Sequence, residues 1–237
     1  MLKITKEELP KLLKRLLVYV VGLFLIALGA QISKKSNLGV SPVSSLPFVL
    51  ERKFPISVPL LDKGGFWITL EFSFFVLIQV FLLWKDFKWY YIFQVAVSTL
   101  FGVFVSLAGE VVAFIPDVSF FVWQILYTLV SIVIVALGIL LYLDGDIMST
   151  SSEGVTLAMS KRFNKPLSTC KLVFDVTVVL IAAVLELILC GNLLTVGIGT
   201  AAIAFGVGPV LKPMMKYLKK PIHNWVHGKE EKKEIEC

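Results

Sequence analysis

Apolar runs of membrane length decide what this chain can fold into. Six of them, at approximately 16–33, 66–84, 89–109, 119–143, 172–190 and 193–211, approach or exceed the roughly 20 residues that a helix needs to cross hydrocarbon. Composition agrees where it bears on the point. Of 237 residues, 57% are hydrophobic and 17% charged, with mean hydropathy +0.85; a soluble domain carries about 25% charged residues. The sequence therefore predicts an all-α, polytopic helical membrane protein.

Two polar interruptions complicate that picture. Residues 36–48 read SNLGVSPVSSLPF and residues 144–163 read DGDIMSTSSEGVTLAMSKRF. The apolar piece in each is too short to cross, so the expected architecture is about six spanning helices plus two short or re-entrant helices. A backbone that stops being helical at membrane depth survives only when buried in protein or lining a cavity. Gly39 permits unusual dihedrals, Ser41 is a good N-cap and Pro42 suits the first helical position. The second interruption repeats the hydroxyl cluster with Ser149, Thr150, Ser151 and Ser152, and adds Glu153. The competing reading of both stretches is a surface turn, where Ser, Gly and Pro are common.

The interruptions sit in corresponding places of a duplication. Ala27–Gly29 recurs as Ala136–Gly138, 109 positions on, and Phe101–Val103 recurs as Phe205–Val207, 104 positions on. The first register aligns Ser41 with Thr150 and Ser44 with Glu153; the second aligns Glu71 with Asp175. The chain divides accordingly into an amphipathic amino-terminal segment (1–15), two membrane repeats (16–118 and 119–213) and a charged tail (214–237).

Charge sets orientation. Lys3, Lys6, Lys11, Lys14 and Arg15 at one end, and Lys212, Lys216, Lys219 and Lys220 at the other, place both termini in the cytoplasm under the positive-inside rule. Three spans per repeat then make the repeats inverted, with loop 161–171 inside and the lysine-free loop 110–118 outside. Lys34, Lys35, Arg52 and Lys53 fit badly, since they fall outside or in a water-filled mouth. Eight spans in two parallel repeats is the rival topology.

Short helices beginning in polar breaks, in matching places of inverted repeats, point to a transporter's binding site. Ser41, Ser44, Ser45, Thr150, Ser151 and Ser152 are the candidate solute contacts, their helix starts suited to a polar or anionic group. Glu71, Asp175 and Glu153 are candidates for handling protons or cations, because acids inside a membrane mark ion or substrate paths. Glu71 and Asp175 lie near span ends, and the alternative is that they reach the interface. Glu186 lies deeper but has no acidic counterpart in the first half. The glycines from Gly197 to Gly208 suggest close helix packing.

Other chemistries find little support. The net charge of +6 gathers at the ends and in short loops, which suits a lipid bilayer and not nucleic acid. Cys170, Cys190 and Cys237 form no CxxC pair, and His223 with His227 lacks a third metal ligand. No nucleophile–base–acid set stands out, so no catalytic residues, metal or cofactor are expected.

Residues Asn37 to Pro47, with ValGlyIleGlyThr (Val196–Thr200) and GlyValGlyPro (Gly206–Pro209), resemble the bacterial YczE/YyaS/YitT-like integral membrane proteins. The resemblance covers most of 16–213, with Gly39–Pro42 its most specific part, and is nearer the YczE-type branch, without the soluble carboxyl-terminal domain of YitT-type members. It implies a multi-pass protein of the bacterial cytoplasmic membrane and no particular substrate. The sequence reading is a small-solute transporter or permease. The alternatives are a non-transporting factor supporting a protein partner, or the solute-binding subunit of a multi-component transporter.

Overall fold

The apolar runs become helices, and small residues set how closely those helices approach. A computed structural model describes residues 8–84 and 88–227. Among these it contains eight helices: α1 (Glu8–Lys35), α2 (Pro42–Lys53), α3 (Gly65–Leu83), α4 (Phe93–Ala113), α5 (Phe121–Gly145), α6 (Ser151–Phe163), α7 (Leu167–Cys190) and α8 (Ile198–His227). A 3-10 turn, Trp89–Ile92, leads into α4. Six helices, all but α2 and α6, are long and apolar enough to cross a membrane. The protein is a multi-pass helical membrane protein.

The centre is the antiparallel pair α1 and α5. A Cβ on Gly22 would lie 2.4 Å from the Tyr142 nitrogen, one on Gly29 would lie 3.1 Å from the Ser131 oxygen, and one on Gly138 would lie 2.8 Å from the Gly22 oxygen. Backbones this close maximise dispersion contacts where lipid offers no hydrophobic drive. Around this pair the packing has a two-fold pattern. α1 packs on α4 as α5 packs on α8, and α2 packs on α7 as α6 packs on α3. Each short helix is thus exchanged onto the other half, with Phe75 of α3 edge-on to Phe174 of α7 at 5.1 Å where the halves meet.

The start of α1 and the end of α8 share one face: Lys14 Nζ donates to the Trp225 oxygen at 3.2 Å, and Val226 is buried. Loop 113–120 and the end of α1 share the other, where Lys35 meets Asp117 at 3.2 Å. At the ends, α1 already begins at Glu8, and α8 runs through Pro209, Pro213 and Pro221 to His227. Proline is tolerated in membrane helices when neighbours support the freed backbone, and α8 packs along α5. His223 Nδ1 lies 3.0 Å from Asp144 Oδ1, fastening the last turns to α5. Residues 1–7 and 228–237 lie outside the described residues.

Candidate solute-binding cavity

α2 begins as its sequence dictates. Ser41 occupies the cap position with φ −59° and ψ 149°, and Pro42 is the first helical residue. The chain reaches that point by turning back from the end of α1 over α8. Gly199 N donates to the Leu38 oxygen at 2.7 Å and Val40 N to the Thr195 oxygen at 3.0 Å. Gly39, at φ +122°, allows this turn, and a Cβ there would strike Thr200 Oγ1 at 2.5 Å. The expected close packing of the Gly197–Gly208 stretch is found here, at Gly197 and Gly199 against Leu38, and at Gly206 against Ile132. α6 starts in the matching manner. Thr150, aligned with Ser41 by the sequence register, is its cap residue.

The two starts meet in one cavity of about 340 Å³. Leu23 and Ile26 from the middle of α1, Phe101 from the middle of α4 and Ile203 from the second turn of α8 form part of its wall. The polar lining comprises Ser41 and Ser44 at the start of α2, Thr150, Ser152 and Glu153 at the start of α6, Tyr142 of α5, and Lys171 and Asp175 from α7. Ser41 Oγ donates to Ser44 Oγ at 3.0 Å and makes no cap bond to the backbone. With Pro42 lacking an N–H and no acid in its first turn, α2 presents the bare positive end of its dipole. Opposite, Thr150 Oγ1 and Ser152 Oγ lie 3.1 Å apart. The Tyr142 hydroxyl accepts from Thr150 N at 2.6 Å and donates to Glu153 Oε2 at 2.8 Å.

Six of the nine predicted residues line this cavity and three do not. Ser45 gives its hydroxyl proton to the Pro42 oxygen at 2.6 Å. Ser151 faces α3 and α4: its oxygen accepts from Gln79 Nε2 at 3.1 Å, and its hydroxyl lies 3.4 Å from that of Ser98. Successive side chains on a helix point about 100° apart, so only part of each hydroxyl cluster turns inward. Glu71, aligned with Asp175, is buried in α3 at 7% exposure, and neither carboxylate oxygen has a hydrogen-bond partner. It is not part of this cavity's lining. Asp175 is, paired with Lys171 at 2.8 Å.

Sequence reasoning missed two features. Tyr142 lies inside an apolar run and gives no signal. Lys171 precedes Asp175 by four residues, a helical ion-pair spacing, and that was the available cue. The excess charge of the cavity also differs from expectation: Glu153 and Asp175 outnumber Lys171, which tells against the anionic solute that helix starts alone suggest.

Of the four cations that fit badly, Lys53 is exposed and lines neither cavity. The other three, Lys34, Lys35 and Arg52, line with Lys63 a second cavity of about 430 Å³ on the face away from the termini. Their acidic partners are Glu51 at 3.8 Å, Asp117 at 3.2 Å, Glu186 at 2.8 Å and Glu110 at 2.7 Å respectively. Glu186 is the anchor among them. Its side chain is fully buried, and it accepts from Leu194 N, Thr195 N and Val196 N at 3.1, 2.7 and 3.1 Å as well as from Arg52. It thereby ties the end of α2 to the turn between α7 and α8.

Residues 13–216 match a family model that spans all eight helices. The chain belongs to DUF6198, a family of unknown function. No curated protein and no solved structure matches it.

Proposed function

We propose that the protein is a small-solute transporter or permease that binds a polar solute in the 340 Å³ cavity between two inverted repeats. One observation carries the reading. Two polar helix starts, 109 positions apart in sequence, contribute side chains to a single cavity, the arrangement that discontinuous helices adopt in transporters. Ser41, Ser44, Thr150 and Ser152 contact the solute. Asp175 and Glu153, with buried Glu71, handle protons or cations. Access alternates by rocking one repeat against the other, with α2 and α6 as the exchanged elements. The likeness to YczE-type proteins, the bacterial cytoplasmic membrane and the cytoplasmic position of both termini belong to the same proposal. Its support is that both basic ends share one face.

The test is a thermal-shift screen of the purified protein against small polar metabolites, since a ligand that binds only the native state stabilises it by mass action. Hits should lose their effect in Ser44→Leu and Ser152→Leu, both of which occlude the cavity. Proteoliposomes should take up the same solute. Undiminished binding and uptake in both variants would refute the assignment. A stoichiometric protein partner together with no solute response would favour an accessory role.

A further inference from the structure

We infer that the solute is a small protonated amine with an apolar body, its ammonium group held by Glu153. This deepens the transporter reading and rests on it. The starting point is an imbalance of charge. Lys171 and Asp175 pair at 2.8 Å and cancel. Glu153 lines the same space with one partner, the Tyr142 hydroxyl at 2.8 Å. Among the described residues, no lysine, arginine or histidine forms an ion pair with it. A carboxylate offers about four lone-pair sites, and one hydroxyl leaves most of them unused. At membrane depth an ionised acid in that condition is costly unless a cation joins it.

The surroundings define what the cation is attached to. An ammonium group has three donors. Thr150 and Ser152 enter the cavity beside Glu153 on the same helix start, and their hydroxyls are the acceptors for donors that Glu153 does not take. Ser41 and Ser44 add hydroxyls from the start of α2, and the rest of the wall is largely apolar, with Leu23 and Ile26 of α1, Val135 and Ile139 of α5, and Ile203 and Val207 of α8. A bare metal ion would leave that surface in contact with water or empty. A branched aliphatic chain on the amine would cover it and gain the apolar burial. A carboxylate solute of the same shape would meet Glu153 as a like charge, the opposite outcome.

The experiment compares three solutes of matched skeleton, isoamylamine, isoamyl alcohol and isovalerate, by thermal shift on the purified full chain in potassium phosphate. Isoamylamine should stabilise saturably and isovalerate should not. In Glu153→Gln the apparent affinity for the amine should fall by roughly tenfold or more, the loss expected for a charge-assisted bond, while the weaker response to the alcohol is unchanged. Preference among the three in the parent protein is a second readout, independent of how the variant folds. Isovalerate binding as well as the amine, or unchanged amine affinity in Glu153→Gln, overturns the amine assignment and leaves the cavity as a binding site. A Glu153-dependent shift given by sodium alone also overturns it. Silence from all three solutes refutes the binding-site reading beneath it.

Discussion

Truncating Arg52 to alanine isolates the contact that holds α2 in place. In the folded protein the guanidinium reaches Glu186 Oε1 at 2.8 Å and Asn192 Oδ1 at 2.6 Å. The Glu186 side chain is fully buried while that of Arg52 is 29% exposed. Removing one partner of a buried pair costs about 3–5 kcal/mol because the remaining charge is stranded. The three backbone N–H bonds to Glu186 persist and place the cost near the lower end, about 3 kcal/mol. At about 2–4 °C per kcal/mol for a chain of this size, Arg52→Ala should melt roughly 6–12 °C below the parent in detergent. Glu186→Ala should also destabilise, by orphaning the N–H groups of Leu194, Thr195 and Val196. The double variant strands no charge, so its loss should fall short of the sum of the single losses, with a coupling of about 0.5–3 kcal/mol. An Arg52→Ala protein melting with the parent, or a double variant showing the full sum, would refute the assignment of Glu186 as an ionised anchor.

Three other outcomes follow from close approaches and buried polar groups. Gly39→Ala adds a Cβ 2.5 Å from Thr200 Oγ1 at a residue whose φ is +122°; strain of about 1–3 kcal/mol should lower the melting temperature and abolish solute-induced stabilisation. Gly22→Ala should destabilise in the same assay, because its Cβ would lie 2.4 Å from the Tyr142 nitrogen, whereas Gly208→Ala, with nothing within 4 Å, should melt within error of the parent. Gln79→Leu removes the donor to Gln94 Oε1 and to the Ser151 oxygen, at 2.8 and 3.1 Å. Leaving buried acceptors unmet costs about 1–3 kcal/mol, measurable as a lower melting temperature and as faster proteolysis at the start of α6.

The elements whose causes are local were legible in the sequence. The start of α2 at Ser41 and Pro42 follows from cap chemistry, and the spans follow from apolar length. The duplication register placed Thr150 where Ser41 stands, and both are cap residues. Features whose causes are distant were not legible. Arg52 and Glu186 are 134 positions apart, so no local pattern announces their pairing. The split of each hydroxyl cluster, Ser44 inward and Ser45 away, depends on how α2 is rotated against α7 and α8. The run of α8 past Pro209 and Pro213 depends on its packing against α5, which composition does not record. The separation of Glu71, enclosed in α3, from its register partner Asp175, which lines the cavity, depends on packing between helices that the register does not record.

The central claim, that the two short helices begin at one shared cavity, is tested most directly by cross-linking in native membranes. In a chain freed of Cys170, Cys190 and Cys237, cysteines at Ser44 and Ser152 should be joined by a short bifunctional maleimide within one molecule. The join would be read as retention of both halves after cleavage in loop 113–120. Cysteines at Ser45 and Ser152 should join poorly, since Ser45 turns away. Equal joining of both pairs, or none from Ser44 and Ser152, would contradict the account.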